Sequence, residues 1–161
     1  MSTDKIIFQL PTEIDLLFDN IKLDILKYLL IIYHLKENFN KRRLSLEELL
    51  YYYSIIYFEN HEIDAPLIYK YLRDKKTINE SMISLENLEF IQVHGDIFTP
   101  IDKLRISITK KGIETIKSLE SENVLLYSEN IFIIIKRYPY GNMGENFNQL
   151  LYEGDLKIDY K

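Results

Sequence analysis

Residues 79–119 read NESMISLENLEFIQVHGDIFTPIDKLRISITKKGIETIKSL, and they carry the clearest structural pattern in the chain. In order, they predict a helix, a strand, a loop, a strand and a second helix at residues 80–88, 90–94, 95–103, 104–108 and from 109 onward. The predicted loop contains Gly95 and Pro100, residue types that favour loops. This order of elements predicts the core of a winged helix.

Further helices are predicted on both sides of this core. They are residues 21–36, 46–58, 67–75 and 123–138. Residues 77–79 are interpreted as a restart between two successive helices, and a strand at residues 131–136 is the competing interpretation of the last helix. The predicted fold class is mainly α with a small β-hairpin (α+β). It is a winged helix-turn-helix with N-terminal and C-terminal helical extensions over residues 1–140, followed by an irregular tail over residues 141–161.

Local residue chemistry predicts where several of these helices begin. Ser45 and Glu48 form the Ser-x-x-Glu pattern of a capping box, and Asp64 and Thr109 have side chains that can cap a helix. Gly112 falls in the first turn of the helix after the second strand. Because glycine has no side chain, we expect this helix to pack closely on the strand.

Composition limits the classes of function. The chain has 161 residues, of which 47% are hydrophobic and 28% charged, and its net charge is -5. A negative net charge argues against non-specific coating of nucleic acid. The chain has no cysteine, which excludes disulfides and thiolate chemistry. Its apolar runs are far shorter than the ~20 residues that span a bilayer. With no apolar signal-peptide pattern at the N-terminus either, we expect a cytoplasmic protein.

The predicted recognition helix and wing, residues 77–103, carry an unusual charge for a DNA-binding surface. Five acidic side chains oppose the single basic side chain of Lys103, which gives a net charge of -4. Such a surface repels phosphates and releases no counterions. Basic residues lie upstream instead. The candidate DNA contacts are Lys70, Arg73, Lys75 and Lys76.

Catalytic and metal-binding motifs are missing from the sequence. The three histidines are far apart, and neither a nucleophile elbow nor a phosphate-binding glycine loop occurs. His61, Glu62 and Asp64 offer three ligand types within four residues, but on a predicted turn without the fixed geometry that a metal site needs. We therefore expect no catalytic residues, no metal and no cofactor.

Apolar residues exceed one helical face in three segments, residues 28–33, 51–58 and 131–135. Three consecutive helical residues point about 100° apart, so we expect that Tyr51, Tyr52 and Tyr53 cannot all enter one core. Tyrosine is also enriched at protein interfaces. The predicted partner-binding residues are Tyr51, Tyr52, Tyr53, Tyr57, Phe132, Ile133 and Ile135.

The order of elements, together with three short motifs, resembles the middle components of ABC-three component systems, which include the small subunit of Lamassu-type antiphage defence systems. The motifs are Leu-Ser-Leu-Glu-Glu-Leu from Leu44, Leu-x-x-Leu-x-Phe-Ile from Leu85, and Ile-Ser-Ile-Thr-Lys-Lys-Gly from Ile106. The resemblance covers residues 21–138. It implies a non-catalytic adaptor that joins an SMC-like or ABC-type ATPase to a separate effector, in some cases a nuclease.

A dimeric winged-helix transcription regulator is the alternative interpretation. In that case residues 124–138 would form the dimer seam and residues 70–76 would face DNA. A metal-dependent hydrolase built around His61 is a third, more remote hypothesis.

Overall fold

A computed structural model describes residues 13–60 and 67–142, with side chains for residues 22–59 and 71–141. The described residues form five α-helices and one two-stranded antiparallel sheet. The elements are α1 (Glu13–Phe39), α2 (Leu46–Asn60), α3 (Leu67–Asn87), β1 (Ile91–His94), β2 (Arg105–Ile108), α4 (Lys110–Lys117) and α5 (Glu122–Arg137), with short 3-10 turns at Ile101–Lys103 and Tyr140–Asn142. The prediction of a mainly helical chain with a small antiparallel sheet is confirmed.

Helix α2 lies at the centre of the core, because it packs against α1, α3, α5 and both 3-10 turns. Tyr51, Tyr52 and Tyr53 are all buried. The Tyr51 hydroxyl donates to the Tyr138 carbonyl oxygen at 2.9 Å, and the Tyr140 amide donates to the Tyr52 hydroxyl at 2.9 Å. The prediction that three consecutive tyrosines cannot all enter one core is therefore wrong. Neighbouring elements surround α2, and they also provide partners for the buried hydroxyls.

Helix α3 is one continuous helix of 21 residues, and the predicted restart at residues 77–79 is wrong. Buried side chains continue through this segment at helical spacing, from Asp74 to Ile78 and Met82. The Thr77 hydroxyl donates to the Asp74 carbonyl oxygen at 3.3 Å, so this polar side chain is satisfied within the helix. Helix α5 runs without a break from Glu122 to Arg137, so the competing strand at residues 131–136 does not form.

The sheet packs on the helices through one face. Strands β1 and β2 are antiparallel, with Ile91 opposite Ile108 and Val93 opposite Ile106. Leu44, between α1 and α2, pairs with Ile106 on the other side of β2, through hydrogen bonds of 2.8 and 2.9 Å in the two directions. The connection between α1 and α2 is thereby fixed to the sheet.

Helix α4 begins directly against β1. The Thr109 hydroxyl accepts a hydrogen bond from the Gly112 amide at 3.0 Å and donates to the Glu89 carbonyl oxygen at 2.6 Å. A β-carbon at Gly112 would lie 2.4 Å from the Phe90 carbonyl oxygen and 2.8 Å from Cγ1 of Ile108. The predicted cap at Thr109 and the predicted close packing at Gly112 are both confirmed. At α2, the Ser45 hydroxyl accepts from the Glu48 amide at 3.1 Å, as the capping box predicts.

Candidate functional site

Helix α3 carries charges of opposite sign on its two halves. Arg73, Lys75 and Lys76 are exposed in the N-terminal half, and Glu80 and Glu86 are exposed in the C-terminal half. Because the helix begins at residue 67, residues 67–103 together hold five basic and six acidic side chains, a net charge of -1. The net charge of -4 therefore describes only the C-terminal half of α3 with the hairpin loop, not the whole helix.

A shallow apolar groove of about 340 Å³ separates the C-terminal half of α3 from the sheet. Its lining residues are Leu46, Asn79, Met82, Ile83, Glu86, Val93, Leu104 and Ile106. Ile83 is 58% exposed although it lies in this groove. The groove is thus an apolar surface that the rest of the described chain leaves open.

The hairpin loop, residues 95–104, presents further apolar side chains to solvent. Ile97 and Phe98 are 92% and 86% exposed, and Ile101 is also exposed. The turn that carries them is fixed by hydrogen bonds. The Phe98 amide donates to the Asp96 carboxylate at 2.9 Å, and the Asp96 amide donates to the Thr99 hydroxyl at 2.9 Å. Two large apolar side chains are therefore held outward by an ordered turn.

A second apolar surface lies on the outer side of α5. Leu125, Leu126 and Ile133 are exposed there, whereas Val124 and Ile134 face the core. Ile133 follows Leu126 by seven positions, or about two helical turns, so these two side chains point in nearly the same direction. Nothing in residues 13–60 or 67–142 covers this face of the helix.

The predicted partner-binding residues are placed unevenly. Tyr51, Tyr52, Tyr53 and Ile135 are buried in the core, so they are not available to a partner in this conformation. Tyr57 and Phe132 are half-buried, and Ile133 is exposed. Among the described residues, the exposed large apolar side chains that the sequence analysis did not select are Leu23, Phe39, Leu72, Ile83, Leu88, Ile97, Phe98, Ile101, Leu125 and Leu126.

The candidate DNA contacts all belong to the N-terminal half of α3. Arg73, Lys75 and Lys76 are solvent-exposed, while the side chain of Lys70 lies outside the described residues. In the basic segment at residues 36–43, the Lys41 ammonium pairs with the Glu48 carboxylate. That pairing gives Lys41 a structural role at the start of α2.

Two of the three histidines make internal hydrogen bonds, and His61 lies outside the described residues. His34 is buried, with Nε2 2.8 Å from the Ser128 hydroxyl and Nδ1 2.7 Å from the Asn38 amide nitrogen. Burial lowers the pKa of His34, so the ring is neutral at neutral pH. Nε2 of His94 lies 2.7 Å from the Ser107 hydroxyl across the sheet. Within the described residues, no three histidine, aspartate or glutamate side chains are grouped as metal ligands would be.

A cavity of about 850 Å³ lies between α1, α2, α3 and α5. Lys27 and Asp74 are buried at its wall, and the Lys27 ammonium lies 3.9 Å from the centre of the Tyr53 ring. The Tyr53 hydroxyl donates to the Asp24 carboxylate. Burial, followed by this hydrogen bond, raises the pKa of Tyr53 above its usual range. Tyr53 therefore remains a protonated donor at neutral pH and does not act as a base.

None of the helices in the described ranges combines the length and hydrophobicity that crossing a bilayer requires. Comparisons of the chain with models of known families, with curated proteins and with solved structures find no match.

Proposed function

We propose that the chain is a winged-helix protein in which α3 occupies the position of the recognition helix and the hairpin loop is the wing. The elements run α1, Leu44, α2, α3, β1, loop and β2, in the order of that fold. The pairing of Leu44 with Ile106 supports the assignment, because it adds a third extended segment beside β2. Helix α4 then closes the core, and helix α5 is the C-terminal extension.

We further propose that it is a non-catalytic adaptor subunit of an antiphage defence complex, bridging an SMC-like or ABC-type ATPase and an effector subunit. One observation carries this proposal. The wing of a DNA-binding protein lies near phosphates, but this loop exposes Ile97 and Phe98 beside a net charge of -4 over residues 77–103. Transfer of apolar side chains out of water is favourable. A protein surface can bury them, whereas a charged phosphate backbone cannot. The resemblance to middle components of ABC-three component systems supplies the identity of the partners.

An adaptor needs two separate contact surfaces, and the described residues include two groups of exposed apolar side chains that suit this role. One is the helix–wing surface, which we define as Ile83, Ile97, Phe98 and Ile101. The other is the α5 surface, which we define as Leu125, Leu126 and Ile133. They belong to different elements and different parts of the sequence. Each surface is therefore available for one partner.

Co-expression tests this function directly. The tagged chain is produced with the SMC-like ATPase and the effector encoded beside it, and the mixture is separated by size-exclusion chromatography. We expect the chain alone to self-associate and to form a stable complex when the ATPase is present. A double variant of the helix–wing surface, Ile97→Ser with Phe98→Ser, should release one partner, and Leu126→Ser with Ile133→Ser should release the other. A well-behaved monomer that co-elutes with neither protein would refute the proposal.

A dimeric winged-helix transcription regulator remains the second candidate function. The observation in its favour is the exposure of Arg73, Lys75 and Lys76 on the N-terminal half of α3, because recognition helices contact base edges through their N-terminal residues. This function predicts sequence-selective duplex binding by the chain alone, which Arg73→Glu abolishes. It also predicts that Leu126→Ser with Ile133→Ser converts a dimer to a monomer. Absence of duplex binding at physiological salt would exclude it.

A further inference from the structure

We propose that the edge of β1 away from β2 is a docking site for a further strand, and that residues 155–160 of the same chain occupy it. Residues 155–160 lie outside the described residues. This contact is internal to the chain, so it does not depend on the adaptor function.

The hydrogen bonds of the sheet show which backbone groups of β1 are left for another strand. The amide and the carbonyl of Ile106 both pair with Leu44, on the side of β2 away from β1. Ile106 lies opposite Val93 in the register of the two strands. In an antiparallel sheet, both residues of such a non-hydrogen-bonded pair direct their backbone groups away from each other. The amide and carbonyl of Val93 therefore point to the outer edge of β1, and nothing within residues 13–60 and 67–142 forms a hydrogen bond with them.

The two faces of the sheet differ beside this edge. An unpaired strand edge is a template for another strand, which binds through backbone hydrogen bonds and gains specificity from its alternate side chains. On one face Val93 lines the apolar groove, and on the other face Gln92 is exposed. The edge thus suits a segment in which apolar and polar residues alternate.

Residues 155–160 have this pattern. They read Asp-Leu-Lys-Ile-Asp-Tyr, a strict alternation of charged and apolar side chains. A period of two is typical of a strand with one covered face. The three apolar side chains would lie on the Val93 face, and the three charged side chains would lie on the exposed face. Charges on an outermost strand also discourage pairing with a further chain.

The described part of the chain ends near enough to the sheet for this segment to reach the edge. The Tyr140 amide donates to the Tyr52 hydroxyl at 2.9 Å, and the Lys41 ammonium lies 5.4 Å from the centre of the Tyr140 ring. Lys41 is close in sequence to Leu44, which pairs with β2. A strand outside β1 would lie roughly 15 Å from Leu44, at three strand spacings. Residues 143–154 can span up to about 40 Å, so the connection is long enough.

Engineered disulfides test the pairing in the full chain, which contains no cysteine of its own. The backbone groups of Gln92 face β2, so a strand outside β1 would meet Gln92 in a non-hydrogen-bonded pair with Cα atoms about 4.5 Å apart. That distance is compatible with a disulfide. Gln92→Cys is combined with one cysteine substitution at each position from 155 to 160 in turn. Each variant is oxidised at low protein concentration, and the products are identified by mass spectrometry without reduction.

We expect an intramolecular disulfide at one or more of the charged positions and at none of the apolar positions. The charged positions are tested by Asp155→Cys, Lys157→Cys and Asp159→Cys, and the apolar positions by Leu156→Cys, Ile158→Cys and Tyr160→Cys. Glu129→Cys, exposed on α5, replaces Gln92→Cys as the matched control and should pair with none of the six. Absence of a disulfide with Gln92→Cys overturns the proposal, as does equal oxidation at charged and apolar positions. Disulfide-linked dimers would make a second copy the occupant and also overturn it.

Hydrogen exchange at the Val93 amide, followed by NMR, tests the backbone contact without cysteines. We expect this amide to be protected in the full chain, and Ile158→Ser should raise its exchange rate about tenfold or more, because the strand loses a buried apolar side chain. The Ile106 amide, which is bonded to Leu44, is the internal reference and should not change. Lys157→Ser, on the exposed face, should leave both rates unchanged.

A Val93 amide that is unprotected in the full chain overturns the proposal. If that amide becomes protected only in a complex with another protein, the occupant is a strand of the partner and not residues 155–160. Protection that Ile158→Ser leaves unchanged overturns the proposal as well.

Discussion

Replacing Gly112 by alanine should destabilise the protein, because the structure leaves no room for the added methyl group. The β-carbon would lie 2.4 Å from the Phe90 carbonyl oxygen and 2.8 Å from Cγ1 of Ile108. The first contact is with backbone, so a change of side-chain rotamer cannot relieve it. Helix α4 must therefore move away from β1. That movement also lengthens the hydrogen bond from the Thr109 amide to the Phe90 carbonyl oxygen, now 2.9 Å.

The magnitude follows from these contacts. Overpacking of this kind costs about 1–3 kcal/mol, and a weakened backbone hydrogen bond adds up to about 1 kcal/mol. The helix propensity of alanine returns at most about 1 kcal/mol. We expect the free energy of unfolding of Gly112→Ala to fall by roughly 2 kcal/mol. For a chain of this size the melting temperature should then fall by about 4–8 °C.

Equilibrium urea unfolding, followed by far-UV circular dichroism, measures this difference. Gly141→Ala is the control, because a β-carbon at Gly141 would meet no atom within 4 Å. Its free energy of unfolding should stay within about 0.5 kcal/mol of the unchanged chain. If the Gly112→Ala and Gly141→Ala variants are equally stable, the argument that α4 is held against β1 by this close contact is refuted.

Three other substitutions test the structure through stability. Glu89 has a backbone φ of 64°, so Glu89→Gly should raise the free energy of unfolding by about 0.5–1 kcal/mol, measured by urea unfolding. The Ser54 hydroxyl is buried with no hydrogen-bond partner among the described residues, so Ser54→Ala should raise the same quantity by roughly 1 kcal/mol. The pKa of His34 is below its ordinary value of 6.5 because the ring is buried, so the unfolded chain binds the proton more readily. Stability should therefore be lost as the pH falls below 6.5, and His34→Gln should reduce that loss, as urea unfolding at several pH values would show.

Each of these predictions has a control or a contrary outcome. Glu86→Gly, within the regular part of α3, should lower stability by about 1 kcal/mol, so equal effects at Glu86 and Glu89 would contradict the backbone argument. Ser45→Ala should lower stability by about 1 kcal/mol, because the Ser45 hydroxyl caps α2. A gain in stability on Ser45→Ala would contradict the capping role of the Ser45 hydroxyl. A loss of stability on Ser54→Ala would contradict the absence of a hydrogen-bond partner for the Ser54 hydroxyl. If His34→Gln leaves the pH dependence of stability unchanged, a titratable group other than His34 causes it.

The parts of the fold that depend on local chemistry could be predicted from the sequence. Ser45 and Thr109 cap the helices that follow them, and Gly112 packs against a strand. The two caps join residues three positions apart, so they depend on near neighbours in the chain. The Gly112 contact is with Phe90, which is distant in sequence, but the position of a glycine in the first turn after a strand indicated it. Two strands separated by Gly95 and Pro100 were predictable for the same reason.

The continuity of α3 could not be read from local pattern in the same way. Residues 73–77 are Arg, Asp, Lys, Lys and Thr, a polar run that is typical of a break between helices. In the structure Asp74 points inward and is buried, so the polar residue occupies a core position. A polar side chain on the buried face hides the periodicity on which the prediction depends.

The surface residues were only partly predictable. Ile97 and Phe98 are two large apolar residues within a predicted loop, a signal that could have identified them. The groove could not be found in this way, because Met82, Val93 and Leu104 meet only when α3 packs on the sheet. The prediction that Tyr51, Tyr52 and Tyr53 cannot all be buried was wrong because the sequence of α2 does not show which other elements surround this helix. How many neighbours surround a helix is a property of the tertiary fold, not of the helix sequence.

The unbroken course of α3 also has a mechanical consequence. Its 21 residues make a rod roughly 32 Å long, which carries exposed basic side chains near one end and the exposed Glu80 and Glu86 near the other. A rod without a hinge transmits a tilt along its whole length. A tilt of the helix at its Arg73 end would therefore change the distance between Ile83 and the sheet.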